Sequence, residues 1–92
     1  MINGDYKEFL DKLYYGEELL FEYKGLEFFV QGWVEDNKAS MVLENYSDNS
    51  FNGYYWECTS DTLRECADKF LHSELWDGKT FPDVQNEVIW KE

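Results

Sequence analysis

Residues 5–15 carry apolar side chains at Tyr6, Phe9, Leu10, Leu13 and Tyr14, with Asp5, Lys7, Glu8, Asp11 and Lys12 between them. That recurrence at i, i+3, i+4, i+7 and i+8 predicts an amphipathic helix, and Gly16 is placed to stop it. Residues 62–71 repeat the spacing with Leu63, Cys66, Ala67, Phe70 and Leu71. Thr62 and Glu65 are spaced to form a capping box at the start of this second helix. Thr80 and Asp83 share that spacing, and Pro82 suits a first helical turn, so a short helical segment is predicted near 81–87. Val88, Ile89 and Trp90 then close the apolar pattern.

Between the helices the period changes to two. Residues 18–24, 26–35 and 38–46 read as strands, joined at Lys24-Gly25 and Asp36-Asn37 by two-residue hairpin turns. Residues 54–58 form a fourth strand or an extended edge after the polar loop 47–53. The turns imply registers. Tyr23 opposes Leu26, Phe21 opposes Phe28, Leu19 opposes Val30, and across the second turn Val34 opposes Ala39, Gly32 opposes Met41 and Val30 opposes Leu43. All of these residues share one face, which a one-residue slip would destroy, so that face is the core. The whole chain, 1–92, is thus expected to be a single α+β domain: an N-terminal helix, a three- to four-stranded antiparallel meander, then one long and one short helix.

The opposite face has a different composition. Leu20, Phe29, Trp33 and Val42 make an apolar centre, ringed by Glu18, Glu22, Glu27, Glu35, Glu44 and Lys38. Glu22 is expected directly opposite Glu27, a like-charge pair that destabilises a sheet and that folding alone would not favour. Two readings of this face stand open. The second helix could cover it as a third layer, or aromatic anchors ringed by charge could form a protein-binding surface.

Charge favours the second reading. Twenty acidic against eight basic side chains give a net charge of −12, on a chain that is 20% aromatic. An acidic chain poor in aromatics would be disordered, but here four Trp, seven Tyr and seven Phe supply a core to offset the self-repulsion. So negative a surface excludes direct nucleic-acid binding through phosphates and docking on anionic membranes. The expected partner is a basic protein surface, such as a nucleic-acid-binding nuclease or a toxin. No apolar run nears the roughly 20 residues of a membrane helix, and residues 1–20 lack a basic start followed by an apolar stretch, so a cytoplasmic location is expected. Cys58 and Cys66 are read as reduced thiols.

Catalytic signals are weak. His72 is the only histidine and follows the second helix without a nucleophile near it in sequence. Carboxylates are too abundant for any pair to signal acid–base work. Asp48, Ser50, Asn52 and Gly53 match the early positions of a calcium-binding loop, but the position of its bidentate glutamate is Thr59. The chain is therefore expected to be no enzyme and to need no metal or cofactor. The residues expected to meet a partner are Glu27, Trp33, Glu35, Asp36 and Glu44, with Asp48 and Asn49 in the polar loop and Asp61, Glu65 and Asp68 on the second helix as further candidates.

The stretch from Phe21 to Trp33, with Glu35 and Asp36, resembles the hairpin of small acidic uncharacterised proteins of Firmicutes genomes and their mobile elements. Asp77-Gly-Lys-Thr-Phe followed by Glu87-Val-Ile-Trp resembles the closing segment of the same group. Separately, the order helix, three-stranded antiparallel sheet, two helices is similar to that of small acidic anti-CRISPR proteins of phages, which inhibit CRISPR nucleases by imitating DNA. The resemblance implies a non-catalytic inhibitor of anti-CRISPR or anti-restriction type that occupies a basic cleft. An immunity protein against a basic toxin, or a small structural or regulatory subunit, is the alternative.

Overall fold

A computed structural model describes residues 1–45 and 54–91. The first helix, α1 (Tyr6–Tyr14), starts where the Asp5 carboxylate accepts the backbone N–H of Lys7 at 3.0 Å. It ends at Gly16, whose φ of 74° is the left-handed conformation that closes a helix at no steric cost. Phe9 and Leu13 are its buried stripe. The second helix, α2 (Leu63–His72), is capped by the Thr62 hydroxyl, which accepts from the Glu65 N–H at 3.1 Å, and it buries Cys66, Ala67 and Phe70. The third, α3 (Phe81–Val84), is a single turn carried on by a 3-10 turn at Gln85–Glu87. There the Asp83 carboxylate accepts from both the N–H and the hydroxyl of Thr80, at 3.1 and 3.0 Å.

Strands β1 (Leu19–Tyr23), β2 (Leu26–Glu35) and β3 (Lys38–Asn45) form the antiparallel meander in the registers that the turns imply. Lys24 and Gly25, then Asp36 and Asn37, all have positive φ, the backbone of the hairpin turn whose twist matches the strands. β4 (Trp56–Ser60) adds on the far side of β3, with Met41 opposite Cys58 and Leu43 opposite Trp56. The three- to four-stranded expectation needs one correction. Ile89–Trp90 returns across the molecule as β5 and pairs with β1, setting Trp90 opposite Phe21 and Ile89 opposite Glu22. The sheet therefore has five strands in the order β4-β3-β2-β1-β5. An apolar triplet so far along the chain from its partner carries no turn that could announce the pairing.

All three helices lie on one face of this sheet. Phe9, Leu13, Cys66, Ala67, Phe70, Phe81 and Val84 form one buried cluster with Leu19, Phe21, Phe28, Val30, Ala39, Met41 and Leu43. Leu10 and Leu63 pack against its margin. Phe81 sits among rings from every layer, 5.1 Å from Phe9, 5.2 Å from Phe21, 5.5 Å from Phe70 and 5.7 Å from Trp76 between centroids. Trp76, which the periodicity did not single out, also meets Tyr23 and Phe28 edge-on. Such edge-to-face pairs add to the burial of area. The seam between helices and sheet is tightest at Gly32, whose N–H donates to the Gly16 carbonyl at 3.1 Å. A Cβ at Gly32 would stand 2.8 Å from Leu63 Cδ2 and 3.2 Å from both Gly16 Cα and the Ser40 carbonyl, so a larger residue would force the Leu63 side chain and the adjoining backbone to shift. The expectation that α2 might cover the second face is thereby overturned: the core on the first face uses every helix.

Candidate functional site: the sheet face away from the helices

The face away from the helices is built by alternation alone. Register sets its rows in order. Glu27, Glu22 and Ile89 form one; Glu44, Phe29 and Leu20 the next; then Glu57, Val42 and Gln31; then Thr59, Ser40 and Trp33; and last Lys38 with Glu35. Apolar side chains run down the middle and carboxylates stand at both ends. Val42 is only 3% exposed although it lies outside the main core. Its neighbours in the row are Gln31 and Glu57, and Phe29 and Trp33 lie on its diagonals. Leu20 and Phe29 are half-buried, and Trp33 is 37% exposed. An indole left partly open on a charged face is the composition of a binding anchor.

The expected partner-binding residues share this face or its turn but divide between its two ends. Trp33, Glu35 and Asp36 gather at the β2–β3 turn, where Glu35 and Asp36 are exposed. Glu27 and Glu44 lie towards the other end, beside the β1–β2 hairpin. Eight residue steps along β2 separate Glu27 from Glu35, roughly 26 Å at strand rise. Asp48 and Asn49, and with them the calcium-type positions, fall outside the described residues; Thr59 is a strand residue opposite Ser40.

The like-charge pair has a partner that the sequence reading missed. Glu22 and Glu27 do face one another, but the Lys91 ammonium lies 3.2 Å from the first and 3.5 Å from the second. Hydrogen bonding to Glu22 and the charge of both carboxylates push the lysine pKa upward. The pair is thus a three-member ion cluster, and its existence needs no partner to explain it. At the other end Lys38 turns away from Glu35 to Asp61, 2.7 Å distant, just before α2. That hydrogen bond raises the lysine pKa and holds Asp61 below the ordinary carboxylate value. Glu35, Glu44 and Glu57 make no ion pair among the described residues. Glu57 joins them from β4, and strand alternation in 54–58 was the signal that could have placed it. Glu65 and Asp68 belong elsewhere. The Glu65 N–H donates to the capping Thr62 hydroxyl in the first turn of α2, and Asp68 accepts the Tyr14 hydroxyl at 2.9 Å.

Other chemistry is sparse. The His72 ring nitrogen Nδ1 sits 2.7 Å from the Asp68 carbonyl, at the end of its own helix. The buried Cys66 thiol donates to the Ala39 and Cys58 carbonyls, and burial pushes its pKa up. Both cysteines are free thiols. Among the described residues no group of three His, Cys, Asp or Glu could hold a metal ion, and no helix is long and apolar enough to cross a membrane. Compared with known proteins, the chain matches no family model, no curated protein and no solved structure.

Proposed function

We propose that this protein is a non-catalytic acidic inhibitor of anti-defence type that occupies a basic, normally nucleic-acid-binding cleft of a defence enzyme, such as a CRISPR or restriction nuclease. The observation that carries the reading is the sheet face that none of the described helices covers. A half-exposed Trp33 stands in a central apolar strip with Leu20, Phe29 and Val42, and Glu35, Glu44 and Glu57 flank it without ion pairs among the described residues. Carboxylates on a flat, twisted sheet would stand where backbone phosphates lie, and their field would speed encounter with a positive cleft. The strip of apolar side chains would then supply the slow dissociation that charge alone does not.

The test is capture of a partner on the immobilised protein at low and at high salt, followed by elution with double-stranded DNA. A basic nuclease retained at low salt and displaced by DNA supports the reading. A toxin or a housekeeping complex on the same beads would reassign the protein to immunity or to a structural role. A partner that binds the combined Trp33→Ala, Glu35→Lys, Asp36→Lys variant as tightly as the parent would remove this face from consideration.

A further inference from the structure

A second feature lies on the helix side of the sheet, at the β1–β2 hairpin and away from Trp33. Tyr23, Lys24, Leu26, Phe28, Tyr55, Leu75, Trp76 and Asp77 enclose a cavity of about 210 Å³. That is below the roughly 300 Å³ at which small-molecule sites begin, and it suits one side chain. Four of its walls are aromatic and meet at steep angles. Phe28 and Tyr55 are 5.4 Å apart at 69°, Phe28 and Trp76 5.9 Å apart at 86°, and Tyr23 and Trp76 6.3 Å apart at 72°. The Tyr55 hydroxyl donates to the Leu75 carbonyl at 2.6 Å, which fixes that wall.

The cavity already attracts a cation. The ammonium of Lys24 lies 5.4 Å above the centre of the Tyr23 ring, and the Asp77 carboxylate is part of the lining. Aromatic faces, a carboxylate and a net charge of −12 all favour a positive occupant over a neutral or anionic one. Between the two cationic side chains, the planar guanidinium both stacks on rings and pairs with a carboxylate through two N–H groups. We propose that this cavity binds a single arginine side chain presented by a protein partner, with Lys24 as the resident cation that the arginine replaces. A basic partner is the premise shared with the proposed function, and a free amino-acid probe separates the two.

The probe is Nα-acetyl-arginine methylamide, compared with its citrulline and lysine counterparts, followed by the NMR signals of the Trp76 indole N–H and the Lys24 and Asp77 amides. The arginine probe should shift these signals saturably and bind about two- to fivefold more tightly than either comparator, the range of an exposed cation–π contact. Asp77→Asn, a change that a left-handed backbone at φ 53° tolerates, should weaken it by a similar factor. Lys24→Asn is the sharper variant. Asparagine before glycine is a favoured pair for this turn, so the fold is kept while the competing ammonium is lost. Arginine binding should then tighten about two- to fivefold. Equal responses to citrulline or to lysine, or an affinity unchanged by Lys24→Asn in a folded protein, would overturn the assignment. A full arginine response beside a failed nuclease capture would keep the cavity's role and sink only the inhibitor reading.

Discussion

The two faces of β2 are made from alternate residues of one strand, yet they are held in different ways. Phe28 and Val30 point into a cluster sealed by α1, α2 and α3, and both are almost fully buried. Phe29 and Trp33, on the other side of the pleat, lie on the face that no described helix covers, beside Glu44 and Ser40 of β3. The first face is closed by helices that the chain brings from both sides of the meander. The second has no described helix over it, although Val42 at its middle is buried. Burial on this second face leaves Trp33 partly available. Stability and recognition are thereby divided between faces of the same strands.

The most direct way to break this comparison is to truncate one residue on each face. Phe28→Ala should cost about 3–5 kcal/mol in denaturant unfolding, because a buried ring leaves a cavity that helices and sheet cannot collapse into. Trp33→Ala should cost less than about 1 kcal/mol, the scale of partly exposed positions. Similar losses at both positions would mean that the second face is also part of the core.

Next in size is the effect on binding, which reverses the ranking. Trp33→Ala should weaken the captured complex by about 2 kcal/mol, chiefly by faster dissociation. Glu35→Lys with Asp36→Lys should mainly slow association and flatten its dependence on salt. Surface plasmon resonance at several salt concentrations separates the two rates. An unchanged dissociation rate for Trp33→Ala would deny the indole its anchoring role.

A smaller effect concerns the ion cluster at the hairpin end of the open face. Lys91→Met should lower the melting temperature, since it leaves Glu22 opposite Glu27 without the ammonium between them. Adding Glu27→Gln to the same chain should restore most of the loss. Added salt should narrow the gap between Lys91→Met and the parent by screening the repulsion.

The smallest predicted effects appear only at the extremes of pH. Asp61 is held below its ordinary value of 3.8 by the hydrogen bond from Lys38, and Asp83 by the Thr80 N–H and hydroxyl. A lowered carboxylate contributes stability that is complete above its unfolded value and is lost as pH falls through the folded one, here below about 4. At the other end, burial pushes the Tyr6, Tyr14 and Tyr55 phenols above 10.0, and carboxylate neighbours push Lys38 and Lys91 above 10.5. These groups hold their protons more tightly folded than unfolded, so their contribution is complete below about 10 and declines above it. Melting temperatures should therefore fall at both limits, and Asp61→Asn should soften the acid limb. An acid limb identical in Asp61→Asn would show that the Lys38 contact carries no linkage.

How much of this was legible before the structure depended on whether a feature was local. The registers of β1, β2 and β3 follow from two-residue turns at Lys24-Gly25 and Asp36-Asn37, and they are right at every pair. Asp83 and Thr62 were recognisable as capping residues for the same reason, since three residues of spacing suffice. Trp76 and β5 were not. Trp76 lies in an irregular segment with no period to mark its side, and Ile89 and Trp90 reach β1 only through the assembled core. The candidate face was legible in its residues but not in its ion pairs. Lys91 and Asp61 arrive from elements whose placement no turn dictates, so Glu22 and Glu27 looked like an unrelieved repulsion.

The return of β5 to β1 has a kinetic consequence. The hairpins β1–β2 and β2–β3 can zip from their turns, whereas β1 and β5 must close a loop that takes in every other strand and two of the helices. This edge also carries the Ile2–Ile89 bridge, with the Ile2 N–H donating to the Val88 carbonyl, the Trp90 N–H to Ile2 and the Lys91 N–H to Leu20. These bonds are the last to form and the first to open, so their amides should exchange with solvent ahead of those between β2 and β3. Each such opening bares the main chain of β1 as an unpaired edge, a surface to which another strand can add.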